Sequence, residues 1–245
     1  MARGSSFHAL ANPARFLRLA NAALPFAKAL AAAALLGGLV LGLYVAPPDY
    51  QQGEAYRIMF VHVPSAWMAL LLYALIALLS AAFLIWKHPL AAMLARAAAP
   101  VGAVFTLINL VSGALWGKPM WGAYWVWDAR LTSMLILFFL YLGYIALTEA
   151  FEAPERGAKA GAVLALVGAI NLPIIKFSVD WWNTLHQPAS ISKLDAPSID
   201  PSMLPPLLLM AVGFTAYAAA VVIYRVKADL MERRIRALSL ARTRR

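Results

Sequence analysis

The sequence predicts an all-α polytopic membrane protein, a bundle of six transmembrane helices with both termini cytoplasmic and a tryptophan-rich loop on the outer side. Hydrophobic residues fill 63% of 245 positions and charged residues only 13%, far from the composition of soluble globular domains. Apolar runs long enough for a hydrocarbon core, which takes about 20 helical residues, recur along the whole chain. Lysine and arginine are also distributed unevenly between alternate connections, as they are when one side faces the cytoplasm.

Taken in order, "MARGSSFHALANPARFLRLANAAL" has arginines but no clean apolar core followed by a small-residue cleavage site. It reads as a retained cytoplasmic segment, with "ANPARFLRLANAAL" as a short interfacial helix. Spans are expected at 26–45, 60–86, 98–115, 131–149, 160–178 and 206–225. The connections are "APPDYQQGEAYR", "KHPLAAMLAR", the Trp-rich loop at about 116–130, "EAFEAPERGAK" and "DWWNTLHQPASISKLDAPSIDPSMLPP". The first of these offers tyrosines and Arg57 but reads as an ordinary connection. Basic tails cover about 1–25 and 226–245, and the tail "RVKADLMERRIRALSLARTRR" reads as a basic helix near lipid head groups. The whole chain, 1–245, reads as a single domain.

Of the 21 lysines and arginines, 16 fall on the side that carries both termini and the second and fourth connections, and five on the other. The excess positive charge, +10, therefore follows topology and an anionic leaflet, and nucleic acid is not an expected partner. Cysteine is absent, which excludes disulfides, thiolate metal sites and cysteine catalysis.

Four histidines occur. His8 and His88 lie on the cytoplasmic side and read as solvated surface residues. His62 and His186 both lie on the outer side. Counting ~20 helical residues back from Lys87 leaves His62 about 7–8 Å further out, at the membrane surface, with Pro64 in a first helical turn. Two neutral imidazoles on one membrane face, without a carboxylate cluster, suit an iron held from both axial sides. A catalytic zinc would want a third ligand, which Asp180 can supply.

The stretch "WGKPMWGAYWVWDARLT" holds Trp116, Trp121, Trp125 and Trp127, followed by Asp128 and Arg130. Trp181 and Trp182 precede His186, so six of eight tryptophans lie in two outward loops, leaving Trp67 and Trp86 elsewhere. An interfacial belt would spread its rings over helix ends on both sides. Concentrated indoles instead suit a flat aromatic ligand. If the loop is helical, Trp121, Trp125, Asp128 and Thr132 share a face; if extended, Trp125 and Trp127 do. Arg130 can bind a carboxylate such as a propionate, or pair with Asp128. Asn109 and Asn171 read as interhelical hydrogen-bonding residues.

"WGAYWVWDARLT" resembles the signature of the haem-handling WWD family, with Tyr124 where tryptophan is typical. "FVHVPSAW" and "WWNTLHQP" extend the resemblance over nearly the whole chain. Six spans with one such loop are similar to the CcmC branch of that family, which serves cytochrome c maturation; the longer haem lyase branch fits badly. The resemblance implies that haem b (iron protoporphyrin IX) is held at the outer face of the bacterial inner membrane, facing the periplasm. His62 and His186 match the axial ligands, with Trp116, Trp121, Tyr124, Trp125, Trp127, Asp128 and Arg130 as the surrounding haem site. It implies presentation of haem to the haem chaperone of the same maturation system (CcmE), which bonds one of its own histidines to a haem vinyl group. It further implies a complex with an ABC transporter, of the ATP-binding-cassette class (CcmA and CcmB), and a small single-span protein (CcmD). No catalytic residue is assigned to the chain itself, and no GxxxxGK[ST] sequence occurs, so ATP chemistry belongs to a partner. The competing readings are a secondary transporter that moves haem across the bilayer and a quinol-oxidising cytochrome b.

Overall fold

The structure, a computed structural model, describes residues 12–186, 190–191 and 196–243. The expectations for residues 1–11, His8 among them, and for Lys193, Arg244 and Arg245 lie outside that range. Seven helices carry the fold: α1 (Pro13–Val40), α2 (Met59–Trp86), α3 (Pro89–Trp121), α4 (Ala129–Glu149), α5 (Pro154–Gly168), α6 (Asn171–Trp181) and α7 (Leu204–Thr243). A π-helical turn, Leu41–Val45, extends α1, and short 3-10 turns, Glu54–Ile58 and Pro201–Met203, lead into α2 and α7. Six helical segments are long and apolar enough to cross a membrane, so the chain is a multi-pass all-α membrane protein.

The starts follow local chemistry. Asn12 Oδ1 accepts from Ala14 N at 2.9 Å ahead of Pro13, and Asp128 Oδ1 accepts from Leu131 N at 2.7 Å at the head of α4. His88 caps α3, its Nδ1 accepting from Ala91 N at 3.3 Å, and it is buried. That corrects the reading of His88 as a solvated surface histidine: Pro89 at N1 starts a helix across the segment read as a loop, and the capping imidazole turns inward. Pro64 is likewise not in a first turn. The 3-10 turn at Glu54–Ile58 runs directly into α2, so Pro64 lies inside the helix, where it forgoes one bond to Phe60 O.

The fifth span is broken. Pro173 cannot donate a backbone bond and its ring crowds the carbonyl of Ala169, so the chain steps out of α-geometry between α5 and α6. Leu172 N reaches Ala169 O at 3.1 Å in a tighter turn, while Asn171 Nδ2 donates to Ser133 O of α4 at 2.9 Å. This bond ties the break to the neighbouring helix, as the interhelical reading of Asn171 expects. The last helix also differs from expectation. α7 runs unbroken for 40 residues, about 60 Å, roughly twice a hydrocarbon core. No glycine or proline interrupts its basic end, and Arg233 pairs with Asp229 one turn away at 3.1 Å. The basic tail is therefore helical and continuous with the span through Thr243.

Helices meet where small residues let them. α1 packs on α7, with Gly38 against Met210 and Gly213 against Leu35. α2, α3 and α4 enclose the main core, where the Tyr73 and Tyr141 rings meet edge to face at 5.0 Å and Tyr141 Oη donates to Ala69 O at 2.7 Å. A methyl group on Gly102 would sit 2.3 Å from the Tyr141 ring, so only glycine admits that contact. Close backbone approach through small residues is how helices gain packing energy where the solvent is itself apolar.

Candidate functional site

At the end of the bundle where α3 ends and α4 begins, the helices part around a cavity of about 980 Å³. That volume lies at the upper end of the roughly 300–1,000 Å³ usual for cofactor and ligand sites. The Trp-rich segment forms one wall, but little of it is loop. α3 continues through Trp121, Gly122 reverses the chain in the left-handed region (φ 78°), and α4 starts at Ala129. Trp116 and Trp121 thus stand on helix, and only residues 122–128 lie outside it. Of the two geometries expected, the extended one holds: Trp125 and Trp127 pair edge to face at 5.4 Å.

The cavity takes in His62, His186, Trp116, Trp121, Trp125 and Arg130 together. His62 projects from the second turn of α2, and the Trp116 ring stands edge-on to it at 5.6 Å. Its Nδ1 lies 3.1 Å from Ser112 Oγ, and Asn109 Nδ2 donates to its backbone carbonyl at 3.2 Å. The interhelical role expected of Asn109 thus falls on the histidine itself. Opposite chemistry holds His186. Its Nδ1 donates to Asp128 Oδ2 at 3.1 Å while Trp121 packs against the ring at 4.9 Å. Asp128 is buried and uses its two oxygens differently, one capping α4 and one fixing His186. Burial pushes the His186 imidazole below its ordinary pKa, and the Asp128 carboxylate opposes that shift. The ring is neutral at pH 7, with Nδ1–H given to the carboxylate and Nε2 left as a lone-pair donor.

Other expected members lie elsewhere. Arg130 makes no ion pair with Asp128 among the described residues; its Nε donates to Ser178 Oγ at 3.2 Å and its terminal nitrogen reaches the Ile175 and Lys176 carbonyls at 3.4 Å. It thereby joins α4 to the C-terminal turn of α6 while facing the cavity. Trp127 is 74% exposed and Tyr124 57%, outside the lining, with the Lys118 ammonium 5.3 Å over the Tyr124 ring. Trp181 and Trp182, expected to extend the platform, do not line the cavity. Phe177 and Trp181, one turn apart, stack on the outer face of α6 at 5.4 Å, which carries Trp182 outward with them. Among the described residues no three histidine, aspartate or glutamate side chains gather as a zinc site would require.

A flat aromatic disc with two carboxylates fits what is present. Two imidazoles face one space, four indoles wall it, Trp67 of α2 joining Trp116, Trp121 and Trp125, and Arg130 supplies a cation there. Trp125 Nε1 is buried with no hydrogen-bond partner among the described residues, a donor that an acceptor on a bound molecule would satisfy. The family model for "Heme exporter protein C" matches residues 6–241. The chain belongs to that family. Heme exporter protein C of Bradyrhizobium diazoefficiens is 53% identical over 94% of this chain and 88% of its own length. That of Escherichia coli K12 is 44% identical over 94% and 93%. Heme exporter protein C of Haemophilus influenzae is 51% identical over 81% of this chain and 81% of its own.

Several residues of the site carried no signal in the sequence of this family member. Gln52, in the connection read as ordinary, accepts from Trp116 Nε1 at 2.9 Å and lines the cavity with Pro47 and Tyr56. Asp49 organises that turn by accepting from Gln51 N and Gln52 N at 2.9 and 2.8 Å. Asp49 two residues ahead of the Gln51–Gln52 pair is the only local hint, and it signals a turn rather than a site. Ser112 is hidden for the same reason: a serine in an apolar helix usually bonds its own backbone.

Proposed function

We propose that the chain holds haem in this cavity at the outer face of the bacterial inner membrane, bound through His62 and His186, and presents it to a haem chaperone for cytochrome c biogenesis. The observation that carries the reading is the convergence of both outward histidines with Trp116, Trp121 and Trp125 on one cavity. Bound haem b supplies an iron that accepts two neutral imidazoles and a vinyl edge open to addition. The protein's own contribution is positioning. Asp128 sets the tautomer of His186, the indole edges restrict how the disc tilts, and Arg130 and Trp125 Nε1 offer donors for carboxylates.

Exposed Trp127 and Tyr124 then form a rim beside the mouth, suited to contact a docking chaperone. Orientation of the vinyl edge toward that partner accounts for acceleration without an acid or base from this chain. The partners fitting this role are the haem chaperone CcmE, the ABC transporter formed by CcmA and CcmB, and the single-span CcmD. The cavity end would face the periplasm, with both termini in the cytoplasm.

The test is the absorption spectrum of the full-length protein purified after co-expression with the chaperone. A Soret band present in wild type and reduced or shifted in both His62→Ala and His186→Ala supports two axial histidines. Replacing Trp125 or Trp127 is expected to leave part of that band and to impair chaperone loading. Normal loading by the His62→Ala, His186→Ala double variant would sink the ligand assignment.

A further inference from the structure

The two histidines are backed by groups of unlike charge. Behind His186 stands a buried carboxylate, Asp128 Oδ2, at 3.1 Å from Nδ1. Behind His62 stand a hydroxyl and an amide, both on α3. Ser112 Oγ lies 2.6 Å from the Ile108 carbonyl and 3.2 Å from that of Asn109, so its one proton is committed to a carbonyl. Its lone pair is then free to accept from His62 Nδ1–H at 3.1 Å, which leaves His62 Nε2 unprotonated. Asn109 Nδ2 lies 3.3 Å from each ring nitrogen of His62. A position equidistant from both nitrogens stands off the outward lone-pair axis of either, so Nε2 keeps its lone pair for an iron.

These contacts bear on ligand strength. A carboxylate accepting Nδ1–H raises the donor strength of the opposite nitrogen more than a neutral hydroxyl does. We propose that Ser112 is a positioning residue that makes His62 the exchangeable haem ligand and leaves His186 the retained one. The proposal rests on the reading of both histidines as ligands. His62 Nε2 and His186 Nε2 would hold the iron, and on release the His62 imidazole would keep its electron pair, so no proton or electron would leave this chain.

The test uses the full-length protein in detergent, loaded with iron protoporphyrin IX, reduced with dithionite and titrated with carbon monoxide, which replaces the weaker axial ligand. Ser112→Ala removes the acceptor behind Nδ1 and is expected to raise carbon monoxide affinity about tenfold. Ser112→Thr, which restores a hydroxyl, is expected to return it toward wild type. A merely structural role for Ser112 gives a shift in Ser112→Ala that the hydroxyl of Ser112→Thr does not return, so rescue supports the proposal. No shift in Ser112→Ala, a shift that Ser112→Thr leaves in place, or a response to Asp128→Asn alone would overturn it. A wild-type haem spectrum that is not six-coordinate, or that survives loss of both histidines, overturns the ligand assignment itself and is seen before any carbon monoxide is added.

Discussion

Tyr73 and His62 stand on the same helix, about 16 Å apart along its axis, and meet opposite surroundings. Around Tyr73 the neighbouring helices close completely: Gly168 approaches so near that a methyl group there would lie 2.1 Å from the phenol oxygen. Around His62 the neighbour is α3 and the facing residues become polar or aromatic, with Ser112, Asn109 and Trp116 each against the imidazole and the cavity beside it. Small residues let helices approach closely in lipid, where no hydrophobic effect drives them, and bulky indoles line the open end. The tight region is thus the clamp that fixes the helices framing the open end.

Breaking the clamp should have the largest effect. Gly168→Ala overpacks the contact with Tyr73 and is expected to cost about 3 kcal/mol, read as a large fall in thermal midpoint in detergent. Tyr73→Phe removes the oxygen that meets the new methyl, and that oxygen is buried without a partner. The single Tyr73→Phe change is therefore expected to be neutral or slightly stabilising, and the double variant to recover much of the loss. A Gly168→Ala protein as stable as wild type would show that the clamp is loose. At the open end, Asp128→Asn keeps a helix cap and loses only the charge behind His186. Haem affinity is expected to fall about 10- to 100-fold with little change in thermal midpoint. A parallel fall in both would mean that Asp128 is chiefly a structural cap.

Gly113→Ala tests the open region more gently. A methyl group there would lie 2.9 Å from His62 Cε1, so the ring must shift by a few tenths of an ångström. Haem affinity is expected to fall about tenfold with stability unchanged, since displacement of a ligand costs about what loss of its support costs. Unchanged affinity would mean that His62 has slack.

The difference between the two regions also explains what could be read from the sequence. All six spans were legible because lipid demands long apolar stretches and tolerates few charges, a requirement met residue by residue. The break at Ala169–Ile170 was not, because Pro173 sits in a continuous apolar run and proline in a membrane helix has more than one outcome. His62, His186 and six of the eight tryptophans stood out because their types are rare and the uneven lysine and arginine count groups their connections together. Their supports did not. Ser112 lies 50 residues from His62, Asp128 58 from His186 and Gln52 64 from Trp116, and no local pattern encodes pairings at such separations. The error over Trp181 and Trp182 has a related origin: proximity to His186 in sequence says nothing about the face of α6 they occupy, and Phe177 decides it.

The smallest effect falls where the two regions meet the surface. Gln52→Ala leaves Trp116 Nε1 without its partner and frees the turn built on Asp49 from the end of α3. One neutral hydrogen bond is worth about 1 kcal/mol, so haem affinity is expected to fall about fivefold. Gln52→Glu keeps an acceptor at that distance and is expected to retain near-normal affinity. If both variants bind like wild type, water replaces Gln52 at the indole, and the orientation of Trp116 is set by its packing against His62 alone. If both lose far more than fivefold, the turn itself, not its hydrogen bond, is a wall of the site. The measurement therefore separates an aromatic ring held by one polar contact from one held by the helix that carries it.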